Sequence, residues 1–169
     1  SLPLAIDLGA GCGLTTIALI MTGFKVIATD KECSIDILNE NLSNFKSSLN
    51  DFLSMTPDQD TEQNICRSYL HRIAANASQD EPELIDVVNV DWTHLDESKI
   101  NISNSLLHQG HLYPDVIVCS DCLYASSSAE ALVATLENLC GPNTILYVCN
   151  QLRSVLDEFL SYTRQSPNY

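Results

Sequence analysis

Basic residues are scarce in this chain. Against 22 Asp and Glu it has only 8 Lys and Arg, a formal net charge of −14 over 169 residues. Binding to a phosphate backbone depends on Lys and Arg, so the composition argues against DNA or RNA as partner and suits a basic protein segment instead. Long apolar runs are missing too: no stretch of eighteen uncharged apolar residues occurs, which leaves no candidate membrane span. Ser1 opens directly onto a strand pattern, without the basic n-region and apolar h-region of a secretory leader. With 45% hydrophobic and 18% charged residues, the expectation is one domain over 1–169 that buries a real core, with disorder confined to short loops.

Cysteines are present but form no framework. Cys12, Cys33, Cys66, Cys119, Cys122, Cys140 and Cys149 make an odd set scattered over strand and helix patterns, which suits a reducing compartment, cytoplasm or nucleus. Three N-x-S triplets, at Asn41, Asn76 and Asn101, are then expected to be unused. Cys119-x-x-Cys122 has no second pair and offers two of the four ligands that structural zinc needs. On one strand that spacing would point the two thiols to opposite faces, with Cys119 in the core. The histidines His71, His94, His108 and His111 make no spaced ligand set, and no metal site is expected.

What is there is a glycine loop. Residues Leu4 to Gly13 read LAIDLGAGCG, a short apolar strand that runs past an acid into glycines at Gly9, Gly11 and Gly13, followed by an apolar helix from Leu14 to Thr22. Glycines let backbone approach a ligand closely. A dinucleotide fingerprint requires G-x-G-x-x-G, but Leu14 and Thr16 stand where the third glycine would fall. The spacing is instead acid-x-G-x-G-x-G, with Asp7 inside the motif. A carboxylate there is poorly placed beside a phosphate and well placed near a cation. S-adenosylmethionine carries an ammonium and a sulfonium and no phosphate. On these residues the chain resembles the class I, seven-β-strand S-adenosylmethionine-dependent methyltransferases.

Further strands follow in order. Phe24 to Thr29 ends on Asp30, about twenty residues beyond the first glycine, the position of a ribose-binding acid in such folds. Ile85 to Val90 ends in Asp91-Trp92, an acceptor for the exocyclic amine of adenine beside an indole able to cover the ring. Pro114 to Ser120 runs into Asp121-Cys122-Leu123-Tyr124, and Asn143 to Cys149 is the fifth strand. Apolar spacing predicts helices over 34–55, 65–77, 129–140 and 153–164, and at most weak helix within 93–113. Alternating strands and helices predict an α/β, doubly wound, mostly parallel Rossmann-like sheet, with a helical and acidic insertion at about 45–83.

The context VCSDCLY, a D-x-x-Y after a buried strand, resembles the protein lysine methyltransferases of methyltransferase family 16, the methyltransferase-like 21 group. DNA amine methyltransferases usually carry prolines between these two residues, which Cys122 and Leu123 do not supply. The resemblance implies methyl transfer from S-adenosylmethionine to a protein lysine. It implies cofactor contacts from Asp7, Gly9, Ala10, Gly11, Gly13, Asp30, Asp91, Trp92 and Ser120, and catalytic roles for Asp121 and Tyr124. It also implies two further strands after residue 164 and a helix ahead of the first strand; neither is recognisable, so the chain reads as a truncated core. A non-catalytic interaction module on the same fold, and a methyltransferase for a small molecule or another side chain, stay open as alternatives. Oligomeric state is not legible.

Overall fold

The computed structural model describes residues 2–54 and 84–166. Among the described residues, five strands and five helices alternate: β1 Leu4–Leu8, α1 Leu14–Met21, β2 Lys25–Asp30, α2 Glu32–Ser54, β3 Ile85–Asn89, α3 Leu95–His108, β4 Val116–Ser120, α4 Ser126–Leu139, β5 Ile145–Cys149 and α5 Ser154–Gln165. All strand pairs are parallel, in the order β3-β2-β1-β4-β5. The arrangement is the α/β Rossmann-like sheet that the alternation of elements predicts.

The order has a direct consequence. After β1 the chain builds outward through β2 and β3, then returns to the other side of β1 for β4. That reversal leaves a crevice at the carboxyl ends of β1 and β4, where open parallel sheets bind ligands. Because every strand runs the same way, the glycine loop, Asp30, Asp91 and Asp121 all emerge at one edge.

Side-chain parity sorts the core into two layers. Leu4, Ile6 and Leu8 of β1, Ile27 of β2 and Ile117 of β4 pack with Ile102 and Leu106 of α3, Leu132 and Leu136 of α4 and Phe159 of α5. Val26 and Ala28 of β2 and Ile85 of β3 pack on the opposite face with Ile20 of α1 and Leu38 and Leu42 of α2. β1 is buried along its whole length, as the central strand of a covered sheet must be.

One difference from the sequence reading concerns a helix. Segment 93–113 holds α3, fourteen residues long. Its buried positions Ser98, Ile102, Ser105 and Leu106, continued by Gln109 at its C-terminal cap, have helical spacing, but three of these five residues are polar and hide the stripe from a hydrophobicity pattern. Their polarity is used: the Ser98 hydroxyl bonds the backbone of Asp91, and the Ser105 hydroxyl bonds the Asp86 carboxylate. Residue 45, where the insertion was expected to begin, lies inside the continuous helix α2. The remainder of that expectation from residue 55, including the helix over 65–77, lies outside the described residues. Among the described residues no helix is long and apolar enough to cross a membrane.

β5 has one covered face and one open face. Leu146 and Val148 pack into the α4–α5 layer, while Ile145 and Tyr147 on the other face are 53% and 58% exposed. An open apolar strand at the side of a sheet favours association. The 169-residue chain is therefore expected to self-associate in multi-angle light scattering, and Tyr147→Lys to shift it toward monomer. A monodisperse monomer for both proteins would contradict this.

Candidate active site

The glycine loop is fastened to the end of β2. The Gly9 and Ala10 amides both donate to the Thr29 carbonyl, at 3.0 and 2.8 Å, and the Gly11 amide donates to Asp30 Oδ2 at 2.7 Å. Gly9 has φ of 82°, and a Cβ there would lie 2.8 Å from Cys122 Sγ and 3.3 Å from the Trp92 ring. Only glycine fits both the backbone angle and the space. Gly13, φ 90°, opens α1 and packs against Leu38 and Leu42 of α2.

Asp30 uses its other oxygen to accept from the Lys31 amide at 2.8 Å. Asp91 accepts from both the amide and the hydroxyl of Thr93, at 2.9 and 2.6 Å. These bonds hold its carboxyl below the usual carboxylate range. Trp92 is half-buried, with its ring edge against Gly9.

The segment after β4 is the most constrained backbone in the site. Asp121 is the one non-glycine residue with positive φ among the described residues, at 51°, a conformation that costs an L-residue about 1 kcal/mol. The end of β5 and the segment after it bond this stretch. The Asp121 amide donates to the Cys149 carbonyl at 2.7 Å. Asn150 brackets Leu123, accepting from its amide at 3.1 Å and donating to its carbonyl at 3.2 Å. Arg153 then faces both oxygens of the Asp121 carboxylate, Nη1 to Oδ1 at 3.1 Å and Nη2 to Oδ2 at 3.4 Å. Tyr124 is 60% exposed, and the Lys31 ammonium sits 3.3 Å from its hydroxyl and 5.8 Å from the ring centre. That hydrogen bond pushes the Lys31 pKa up.

The two thiols do not diverge. Cys122 lies beyond the strand, after the left-handed turn at Asp121, so strand parity no longer applies. Its Sγ points inward to the Leu8 carbonyl at 2.9 Å, and both Cys119 and Cys122 belong to the buried core. Hydrogen bonding between them and burial push the Cys119 thiol well up. Among the described residues no group of three or more His, Cys, Asp and Glu side chains is placed to hold a metal.

These elements enclose one cleft of about 570 Å³, within the usual range for small-molecule sites. Gly9, Ala10, Gly11, Asp30, Asp91, Trp92, Ser120, Asp121 and Tyr124 line it, so nine of the eleven site residues expected from sequence come together. Gly13 and Asp7 do not line it. Asp7 lies on the α1 side of β1, fully buried, with Oδ2 accepting from the Thr16 hydroxyl at 2.6 Å and Oδ1 without a partner among the described residues. Lys31, Asn150 and Arg153 are the residues that sequence reasoning missed. Lys31 was adjacent to a named acid, and Asn150 follows a strand whose end lies at the ligand edge.

The chain matches the model of the lysine methyltransferase family over residues 3–65 and 60–165, and it belongs to that family. A comparison with curated proteins returned no match. Among solved structures, one described under the substrate-directed dual catalysis of dicarbonyl compounds by diketoreductase has a TM-score of 0.48 and 15% identity. That match covers 94% of this chain and 46% of the other, so this chain spans just under half the length of that structure.

The buried Asp7 generates a pH prediction. Burial pushes its pKa from 3.8 to about 6, against the opposing Thr16 hydrogen bonds. The native state therefore keeps this proton where the unfolded chain has lost it. The associated stability is full below about pH 4 and lost as pH rises through about 6, a swing on the order of 2 to 3 kcal/mol. Asp7→Asn, which cannot ionise, should be at least about 1 kcal/mol more stable than the parent at pH 7.5, with the gap between their urea-unfolding curves closing below pH 4. A gap independent of pH would rule out a buried ionising Asp7.

Proposed function

We propose that this protein transfers a methyl group from S-adenosylmethionine to a lysine side chain of a protein. The observation that carries this reading is the convergence, in one cleft, of the glycine loop, Asp30 and the Asp121–Tyr124 segment. Membership of the lysine methyltransferase family supports the same class of chemistry.

The residues present fit that cofactor. The glycine loop carries no Lys or Arg for a phosphate, and the carboxylates facing the cleft are Asp30, Asp91 and Asp121. Asp30 would hold the ribose hydroxyls and Asp91 the adenine amine, with Trp92 against the ring; Gly9, Ala10, Gly11 and Ser120 would form the wall. Asp7 and Gly13 support this wall from outside the cleft. When bound, S-adenosylmethionine supplies an electrophilic methyl on its sulfonium.

The chain's own task is to present a neutral amine. Lysine has a pKa near 10.4, so fewer than about one in a thousand is neutral at pH 7. Asp121 orients the incoming amine, and Tyr124 lines its approach with ring and hydroxyl. Alignment of this kind contributes up to about 7 to 11 kcal/mol in favourable cases. A chain with net charge −14 favours a basic protein segment as the carrier of the target lysine. No disulfide joins the six described cysteines, which supports cytoplasm or nucleus as the compartment.

Labelled cofactor added to a cell lysate with the full chain tests the reading. Asp30→Ala should abolish calorimetric binding of S-adenosylmethionine, with no binding of NAD or ATP to the parent. Asp121→Ala and Tyr124→Ala should bind cofactor normally yet lower transfer at least about tenfold, roughly 1.4 kcal/mol of transition-state stabilisation each. Replacing the labelled lysine of the acceptor by arginine should stop labelling. If labelling continued on that acceptor, a different side chain would be the target.

A further inference from the structure

Both groups assigned to the incoming amine are already in contact with cations of the chain itself. Arg153 faces the Asp121 carboxylate with two nitrogens, and Lys31 lies on Tyr124. Of the 8 basic residues in a chain of charge −14, two stand at this one rim. Lys31 and Arg153 thus set two cations against the three carboxylates Asp30, Asp91 and Asp121 that face the cleft, and both stand beside the groups assigned to the amine.

A bare carboxylate would be the wrong partner for a methyl acceptor, since it stabilises the ammonium and raises the pKa of an amine that must lose its proton. A carboxylate shared with a guanidinium keeps its hydrogen-bonding geometry while much of its field is cancelled. A second cation within a few ångströms of Tyr124 repels an ammonium and leaves a neutral amine undisturbed. We propose that Lys31 and Arg153 are tuning residues that lower the pKa of the target amine in the acceptor site. The proposal rests on lysine being the acceptor and adds how that lysine is brought to its reactive form.

The other ionisable groups nearby are accounted for. Around Lys31 stand Tyr124, Asp30 and Cys33. Asp30 is already engaged by the Gly11 and Lys31 amides, and Asp91 by Thr93. Cys122 directs its thiol at the Leu8 carbonyl, and Cys12 lines the cleft from the glycine loop. The guanidinium keeps its charge at every pH of interest. Hydrogen bonding to Tyr124 keeps Lys31 charged through the neutral range.

Two measurements test this, one independent of any acceptor. In Tyr124→Lys the new amine serves as a reporter, and its pKa, read from the pH dependence of acetic anhydride labelling by mass spectrometry, should fall below the ordinary 10.4. Adding Lys31→Met or Arg153→Gln should raise it by about 0.5 to 1 pH unit, and Lys31→Arg should not. In the transfer reaction, the rising limb of kcat against pH should move to higher pH by a similar amount in Lys31→Met and stay in place in Lys31→Arg. A reporter pKa that ignores both charge-removing changes overturns the proposal, even if Arg153→Gln also disturbs the Leu123 carbonyl to which Arg153 Nη1 donates at 3.3 Å, because exposed Lys31 bears no such load. Identification of a product other than methyl-lysine would instead overturn the acceptor assignment, with the reporter result standing by itself.

Discussion

The absence of a side chain at Gly9 is the constraint on which the site depends. Into the space a Cβ would occupy come Cys122 Sγ from beyond β4 and the Trp92 ring from beyond β3. Three strand ends thereby meet at van der Waals distance around one residue. The Cys122 contact with the Leu8 carbonyl ties the β4 segment to β1 just before the loop turns, and the Asp30 bond to Gly11 ties β2 to the loop just after. A methyl group at position 9 would push these ends apart and open the floor of the cleft.

The three carboxylates of the cleft and the buried Asp7 behind it are held in very different ways, and the difference follows from depth. Asp30 and Asp91 lie at strand ends, where backbone amides and a neighbouring hydroxyl satisfy them locally. Asp121 lies further out and draws its partner, Arg153, from 32 residues away. Asp7 points into the layer between sheet and α1, where the hydroxyl and backbone of Thr16 bond it and burial opposes its ionisation. Burial beside α1 thus makes Asp7 hold its proton more firmly, while the Thr93 bonds favour the ionised form of Asp91.

Much of the architecture was legible because it rests on local patterns. The short apolar runs of all five strands were readable in the order of residues, and parallel pairing followed from the helices between them. Parallel pairing alone then brought the glycine loop, Asp30, Asp91-Trp92 and Asp121–Tyr124 to one edge, although they are spread over more than a hundred residues. What escaped depended on packing. α3 escaped because Ser98, Ser105 and Gln109 occupy buried positions that pattern reading reserves for aliphatics. The direction of Asp7 is a matter of strand parity relative to layers the sequence does not display. The inward turn of Cys122 follows from a backbone conformation at Asp121 that no neighbouring residue signals. Arg153 and Lys31 meet Asp121 and Tyr124 across 32 and 93 residues, a separation at which spacing carries no information.

The Ser98 hydroxyl donates to the Asp91 carbonyl and accepts from the Asp91 amide, at 2.7 and 2.9 Å. One side chain therefore clasps the turn that carries Trp92 to the helix behind it. A ring settling against that indole would press on a fourteen-residue rod anchored in the core by Ile102 and Leu106, and the turn would have little freedom left to surrender. The entropy of ordering this wall is lost when the protein folds, so association at the cleft begins from a surface already set in place.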